Sequence, residues 1–330
     1  MDYSLQEAVA DIVEQESTVQ LSSRIYEMTT EITSLFEAVW LSTIFEVRLA
    51  ENDTRTDFLV EIHSSDIEKF YAQCLKYKNS DNTTIKDIKK ISERLYTKKD
   101  CIEDAVIWFE CDMIDDVTQT TLVTASIDPN LRNNFLKKNV STQQAWQDFV
   151  KTMDLISDMP ITANLESSFK RCADALPFGY NISHIAPLAP RGESGIRLTL
   201  YLPPPKIIPW LRKVGWSGAM SDVETLFTLA GDEWPLIGIQ IEINEQVETY
   251  IGFELMVGSG QKKLEALEKT LLRLQKRDAF DASRVNTALH WNDYNLYPKD
   301  EGLRKDTNLK LVVKEAGKVE AKVYLGTNKK

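Results

Sequence analysis

Gly195-Ile196-Arg197-Leu198-Thr199-Leu200-Tyr201-Leu202, followed at once by Pro203-Pro204-Pro205, is the stretch on which the reading of this chain turns. Four aliphatic residues alternate with Arg197, Thr199 and Tyr201. Successive side chains of a strand point to opposite faces, so one face is apolar and the other carries a cation, a hydroxyl and a phenol. Proline cannot donate to a ladder, so the three prolines mark the end of the strand.

Outward from this strand, the alternation recurs in pairs. Phe178 to Ala186 is its hairpin partner. Strands are also expected over residues 39–50 and 57–63, 105–114 and 120–127, 236–243 and 248–256, and 308–314 and 318–325. Between the hairpins the apolar spacing changes to that of helices, and these also come in pairs. They cover residues 66–78 and 85–97, 141–157 and 161–175, 206–214 and 221–230, and 262–277 and 282–291, with residues 4–36 helical before the first hairpin. Ser65 or Asp66 is placed to cap the helix that follows it. A unit of two strands and two helices, repeated along 330 residues without a Pro-, Gly- or Ser-rich linker, argues for one continuous domain over residues 1–330. Each unit is a hairpin, so the sheet is antiparallel.

The apolar faces need the helices as cover. The polar faces have two possible fates: exposure on an open sheet, or enclosure in a barrel whose ten strands leave no edge. On the residues alone both stand. The polar faces carry Glu46 and Arg48 in the first strand, Trp108, Glu110 and Asp112 in the third, Gln240 and Glu242 in the seventh, Tyr250 and Glu254 in the eighth, and Lys310, Lys322 and Tyr324 in the last two. The fourth and fifth strands do not declare a register.

At 43% hydrophobic and 27% charged the chain has the makings of an ordinary packed core, and its net charge of −11 disfavours a nucleic-acid partner. No apolar run is long enough to cross a membrane as a helix. The N-terminus has no basic segment leading into an apolar one, and the four cysteines have no paired spacing, so a cytoplasmic protein with reduced thiols is expected. The three histidines lie far apart and offer no metal spacing. Asp112, Asp115 and Asp116 straddle a strand end and a turn, and so do not form the aspartate-rich metal motif of a helix. Gly258-Ser259-Gly260 reads as a turn, since it lacks Walker spacing.

Ten antiparallel strands with helix pairs outside and a polar interior resemble the ABBA prenyltransferase barrel of five αββα repeats. The segment His184 to Pro205 and the final hairpin, Asn308 to Tyr324, resemble most closely the cyanobactin-type peptide prenyltransferases. The resemblance implies an α+β fold with a closed barrel. It also implies a cytoplasmic enzyme that transfers a dimethylallyl or geranyl group from its diphosphate to a side chain of a ribosomally made peptide, with Mg2+ carried on the diphosphate. Arg48, Arg197, Lys310 and Lys322 would then bind the diphosphate, because departing phosphate oxygens need fixed cations. Tyr201, Tyr250 and Tyr324 would shield the allylic cation, and Glu46 or Glu110 would take the proton of the attacking group. No residue is assigned as a direct metal ligand. Thr199 and Tyr201 stand where relatives often carry basic residues. The other readings are a silent barrel that binds a peptide or partner protein, and a prenyltransferase acting on an aromatic small molecule. On these the same cations are solvated or paired with Glu46, Glu110, Asp112, Glu242 and Glu254, and Tyr250 packs across strands.

Overall fold

Residues Ile196–Leu202 form the sixth of ten strands, and their apolar face is fully covered: Ile196, Leu198, Leu200 and Leu202 are all 0% exposed. The computed structural model describes residues 4–15, 23–50, 53, 55–77, 79–101, 105–113, 122–128, 141–257, 261–276, 280–291, 303–314 and 317–329. The strands are β1 (Trp40–Arg48), β2 (Thr56–His63), β3 (Val106–Met113), β4 (Leu122–Asp128), β5 (Ile182–Pro187), β6 (Ile196–Leu202), β7 (Ile237–Ile243), β8 (Val247–Met256), β9 (Leu303–Val313) and β10 (Val319–Lys329). Each pairs antiparallel with its neighbours in sequence, and β1 pairs with β10. The sheet is therefore a closed barrel, and the open-sheet alternative falls away.

Helices α1 (Leu5–Gln15) and α2 (Ser23–Phe36) precede β1. The pairs α3 (Ile67–Leu75) and α4 (Thr83–Thr97), α5 (Thr142–Ile156) and α6 (Ala163–Asp174), α7 (Pro204–Val214) and α8 (Met220–Ala230), and α9 (Gln261–Gln275) and α10 (Ala282–His290) follow the even-numbered strands β2 to β8. The core is the layer between barrel and helices. Phe36 of α2 stacks on Phe70 of α3 with ring centroids 4.8 Å apart, and Phe109 of β3 meets both edge-on. Ile237, Ile239, Ile241 and Ile243 of β7 are all 0% exposed. A fully buried side chain of this size contributes about 1.5–3 kcal/mol before the entropy of ordering it.

Local signals explain most helix starts. Asn82 caps α4 by accepting from Thr84 N at 2.9 Å, Ser141 caps α5, Thr162 caps α6 and Asp281 caps α10. Three expectations change. Neither Ser65 nor Asp66 caps α3; residues Ser64–Asp66 form a short 3-10 turn whose Ser65 N–H donates to the His63 ring. The proline run does more than end β6, because Pro204 and Pro205 open α7, where the first-turn N–H has no partner to lose. The last hairpin is longer than its apolar alternation, with β9 beginning at Leu303 and β10 reaching Lys329. Its extension is polar, and part of its cover is aromatic: Lys305 lies 4.1 Å from the Trp291 ring centroid and Lys329 4.2 Å from that of Trp40. The turn at 51–54, Asp115, Asp116 and Gly258–Gly260 lie outside the described residues, save Asp53.

The topology gives the lumen two distinct ends. All five hairpin turns lie where odd strands finish, and all strand-to-helix connections lie where even strands finish. We call these the hairpin end and the helix end.

Candidate functional site

The polar faces of the ten strands meet in the lumen. Arg48, Arg197, Lys310 and Lys322 all point inward, as do Glu46, Glu110, Tyr201, Tyr250 and Tyr324, because each shares parity with a residue lining the central cavity. That cavity encloses about 160 Å³ and is walled by Ile44, Leu59, Trp108, Tyr201 and Met256 together with Glu110, Arg191, Arg197, Gln240, Glu254, Lys310 and Tyr324. The silent registers of β4 and β5 also resolve: Ser126, His184 and Ala186 line the cavity, while Val123, Ala125, Ile127 and Ile185 face the helices.

The hairpin end is a lattice of ion pairs. Arg48 Nη2 lies 2.6 Å from Asp57 Oδ2 and 3.8 Å from Glu46 Oε1, and Lys322 Nζ donates to Glu46 Oε1 at 2.6 Å. Arg191, from the β5–β6 turn, holds Asp112 through Nε at 2.9 Å and Nη2 at 3.0 Å, and reaches Glu110 at 2.8 Å. Arg197 Nη2 donates to Glu242 at 2.5 Å, and its guanidinium lies 4.6 Å from the Tyr250 ring centroid. Lys310 differs. It is 4% exposed, lines the cavity, and has no carboxylate within 4.0 Å among the described residues.

Several buried donors have nothing to donate to. Arg48 Nε and Nη1 and Arg191 Nη1 are enclosed without an acceptor among the described residues. A buried unsatisfied donor costs about 1–3 kcal/mol, and more when charged.

The carboxylates fall into three electrostatic classes. Burial pushes the Glu46 carboxyl up, but Lys322, Lys310 and Arg48 outweigh it and hold the group well below its ordinary range. Burial likewise opposes Arg191 at Glu110, and the net shift there is also downward. Burial and the neighbouring Glu46 charge push Asp57 up to about 8, against the pull of Arg48. Glu254 is raised, chiefly by burial, with Lys310 pulling the other way. It accepts hydrogen bonds from Gln240 Nε2 and, at 3.4 Å, from Tyr201 Oη. Burial and Glu46 raise the Tyr324 phenol well above its ordinary value, so it stays a neutral donor.

Backbone room shapes the cavity wall. A Cβ on Gly238 of β7 would lie 2.8 Å from Tyr201 Cε1 and 2.9 Å from Glu254 Cβ, so the Tyr201 ring occupies space that only glycine leaves open.

No family model matches the sequence, and no curated protein is similar to it. Among solved structures, AnaPT from Neosartorya fischeri, an ABBA prenyltransferase, superposes with a TM-score of 0.55 over 96% of this chain and 91% of its own, at 11% identity. The chain has the ABBA prenyltransferase fold. Within this ABBA barrel, sequence reasoning had not singled out Arg191, Asp57, Gln240 or Glu254 as site residues. Arg191 lies in a turn with no periodicity, and Asp57 is the second residue of β2, next to the turn. Glu254 was set among the counter-ions, because only the placement of partners distinguishes it from Glu46. Among the described residues, no helix of the ABBA barrel is long and apolar enough to cross a membrane, and Cys74, Cys111 and Cys172 are free and buried.

Proposed function

We propose that this barrel transfers an isoprenyl group, dimethylallyl or geranyl, from its diphosphate to a side chain of a peptide. The observation that carries the reading is the set of cationic groups beside the cavity: Arg191 Nη1 and Arg48 Nε and Nη1, which have no acceptor among the described residues, and Lys310, which has no carboxylate within 4.0 Å among them. Diphosphate oxygens satisfy such donors, and fixed cations there stabilise the charge that develops as the carbon–oxygen bond breaks. Lys322 and Arg197, already paired, support that charge from either side. The cavity is close in size to an apolar cavity of ~150 Å³ that takes up benzene, which suits a five-carbon group. Tyr201 and Tyr324 line it and would shield the allylic cation, with Tyr250 behind Arg197.

The nucleophile's proton needs an acceptor. Glu46 and Glu110 are ionised but held low, which makes them weak bases. Glu254 is raised toward the operating range and has Gln240 and Tyr201 to orient it, so it is the better general base. Mg2+ carried on the diphosphate would supply positive charge to a lumen in which, among the described residues, Glu46, Asp57, Glu110, Asp112, Glu242 and Glu254 face Arg48, Arg191, Arg197, Lys310 and Lys322. The peptide acceptor is supported at the helix end, where three exposed apolar side chains, Phe178 at 70%, Leu236 at 43% and Met256 at 43%, flank β5, β7 and β8.

A second reading, a silent barrel that binds a partner, is favoured by one fact: Arg48, Arg191, Arg197 and Lys322 already have carboxylate partners. Thermal unfolding with a non-hydrolysable isoprenyl thiodiphosphate and Mg2+ separates the two. At 100 times its dissociation constant the analogue adds about 2.7 kcal/mol if it binds the folded state. No stabilisation at saturation sinks the transfer reading. Mass spectrometry of precursor peptides and of aromatic small molecules, incubated with each diphosphate, then identifies the acceptor class.

A further inference from the structure

We propose, resting on the transfer reading, that Gln240 selects the acceptor: the atom that takes the isoprenyl group is a nitrogen bearing at least two hydrogens, as in a primary amine, a primary amide or a guanidine. One hydrogen is held by Gln240 Oε1 and the other faces Glu254.

Gln240 of β7 lines the central cavity and is 7% exposed. Its Nε2 donates to Glu254 Oε1. That bond sets the amide's orientation, because the reverse would press a carbonyl oxygen against a carboxylate. The carbonyl oxygen, Oε1, is then enclosed with no donor among the described residues. Lys310 and Arg197 line the same cavity without donating to it, and Gly252, its register partner on β8, has no side chain to offer. A buried acceptor left without a donor is costly.

The kind of open atom identifies what fills it. Of the residues lining the cavity, Arg191 and Gln240 are those with an enclosed polar atom that lacks a partner among the described residues. Arg191 Nη1 is a donor, which a diphosphate oxygen can satisfy. Gln240 Oε1 is an acceptor. An ionised diphosphate and a hydrocarbon tail have no N–H or O–H for it, so between the two substrates the donor hydrogen must come from the acceptor.

Glu254 accepts from Gln240 and from Tyr201 Oη, and a carboxylate with about four lone-pair positions has room for another hydrogen bond. Because Gln240 Nε2 and Oε1 share one amide carbon, the open carbonyl is held close beside this carboxylate. One NH2 group can bridge both. A phenol, an aliphatic hydroxyl or an indole nitrogen has a single hydrogen, so that atom leaves either the base or the amide unserved. In the transfer, the lone pair of the neutral nitrogen forms the bond to the first carbon of the isoprenyl group. The carbon–oxygen bond breaks with its electron pair leaving on the diphosphate. The hydrogen facing Glu254 passes to that carboxylate as a proton, and the second stays on Gln240 Oε1.

The test measures binding to the full-length protein with no diphosphate present, so its outcome is independent of the thiodiphosphate experiment. N-acetyl methylamides of lysine, arginine, glutamine, tyrosine, tryptophan and serine are titrated by NMR. At least one of the three nitrogen ligands should bind saturably, and at least about tenfold more tightly than the phenol, indole and hydroxyl ligands, since a site group left unpaired discriminates on that scale or above. Methylating the side-chain nitrogen of that ligand until one N–H remains should weaken it at least about tenfold. In Gln240→Met, verified as folded by circular dichroism, the gap between the parent and methylated ligands should close. A merely structural Gln240 would weaken both ligands alike and keep the gap. Any of four results overturns the proposal: no saturable binding of a nitrogen ligand, equal binding of the phenol or indole, no effect of methylation in the wild-type protein, or a gap that survives in Gln240→Met.

Discussion

At the hairpin end of the lumen Arg48, Arg191, Arg197 and Lys322 each grip a carboxylate, whereas the helix end offers Ile44, Leu59, Trp108, Met256 and the hydrogen-bonded Glu254. The first end is built to hold charge at fixed points. The second is built to receive something bulky and mostly apolar. A donor with an anionic head and a hydrocarbon tail has the same polarity, and Lys310 lies between the two regions, partnered by register with Lys322 on one side and Glu254 on the other. The contrast teaches that the number of lumen charges says little by itself; what matters is which of them are left without a partner.

The largest effect should come from breaking the hairpin end. Arg191→Ala leaves Asp112 and Glu110 without their cation, and loss of one member of a largely buried pair costs about 3 kcal/mol, measured by urea unfolding. Lys310→Met removes the unpaired cation, so it should fold at least as well as the wild-type protein. It should lose most of the roughly 2.7 kcal/mol of stabilisation that a thiodiphosphate at 100 times its dissociation constant supplies. Retained stabilisation would show that Lys310 is not part of the anion site. At the cavity wall, Gly238→Ala forces Tyr201 or Glu254 to move and should cost about 1–3 kcal/mol. If chain length is set here, it should also discriminate more sharply against geranyl than against dimethylallyl donors in competition assays.

The smallest effect is a slope. Glu254 binds its proton more tightly in the folded barrel than in the unfolded chain. Its contribution to stability is therefore complete below the ordinary carboxylate pKa and is lost as pH rises through the raised value. Glu254→Gln should flatten that part of the stability–pH curve, and an unchanged slope would show that another group carries it.

Much of this architecture was legible in the alternation of side chains. Parity alone put Arg197 with Thr199 and Tyr201, and Lys310 with Lys322 and Tyr324, on faces opposite the aliphatic ones. The barrel's closure is not readable from the same pattern, since an amphipathic strand looks alike in an open sheet; the resemblance implies it, and the β1–β10 pairing shows it. The ends of β9 and β10 were missed because Asp306, Thr307, Gly326 and Asn328 carry no apolar rhythm, although Asn328 donates to Asp306 across the pair. Glu46, Glu110 and Glu254 look equivalent in sequence. What separates them is which cation lies near each, and that distance is fixed only when strands far apart in the chain come together.

The pairing of β1 with β10 joins residues far apart in the sequence, from Ser42 with Asn328 to Arg48 with Lys322. Such a seam sets an order of events. During synthesis β1 emerges before β10 and must wait, with one edge of its backbone unsatisfied, until β10 has been made. Loop-closure entropy delays contacts this distant in sequence, and an unpaired edge invites other chains to add to it. The Lys322–Glu46 contact sits on that seam, so it completes the lumen only when the barrel itself is complete. Trimming β10 would therefore do more than shorten the protein: it would leave β1 and β9 as two open edges, and the expected product is an aggregating sheet rather than a smaller barrel.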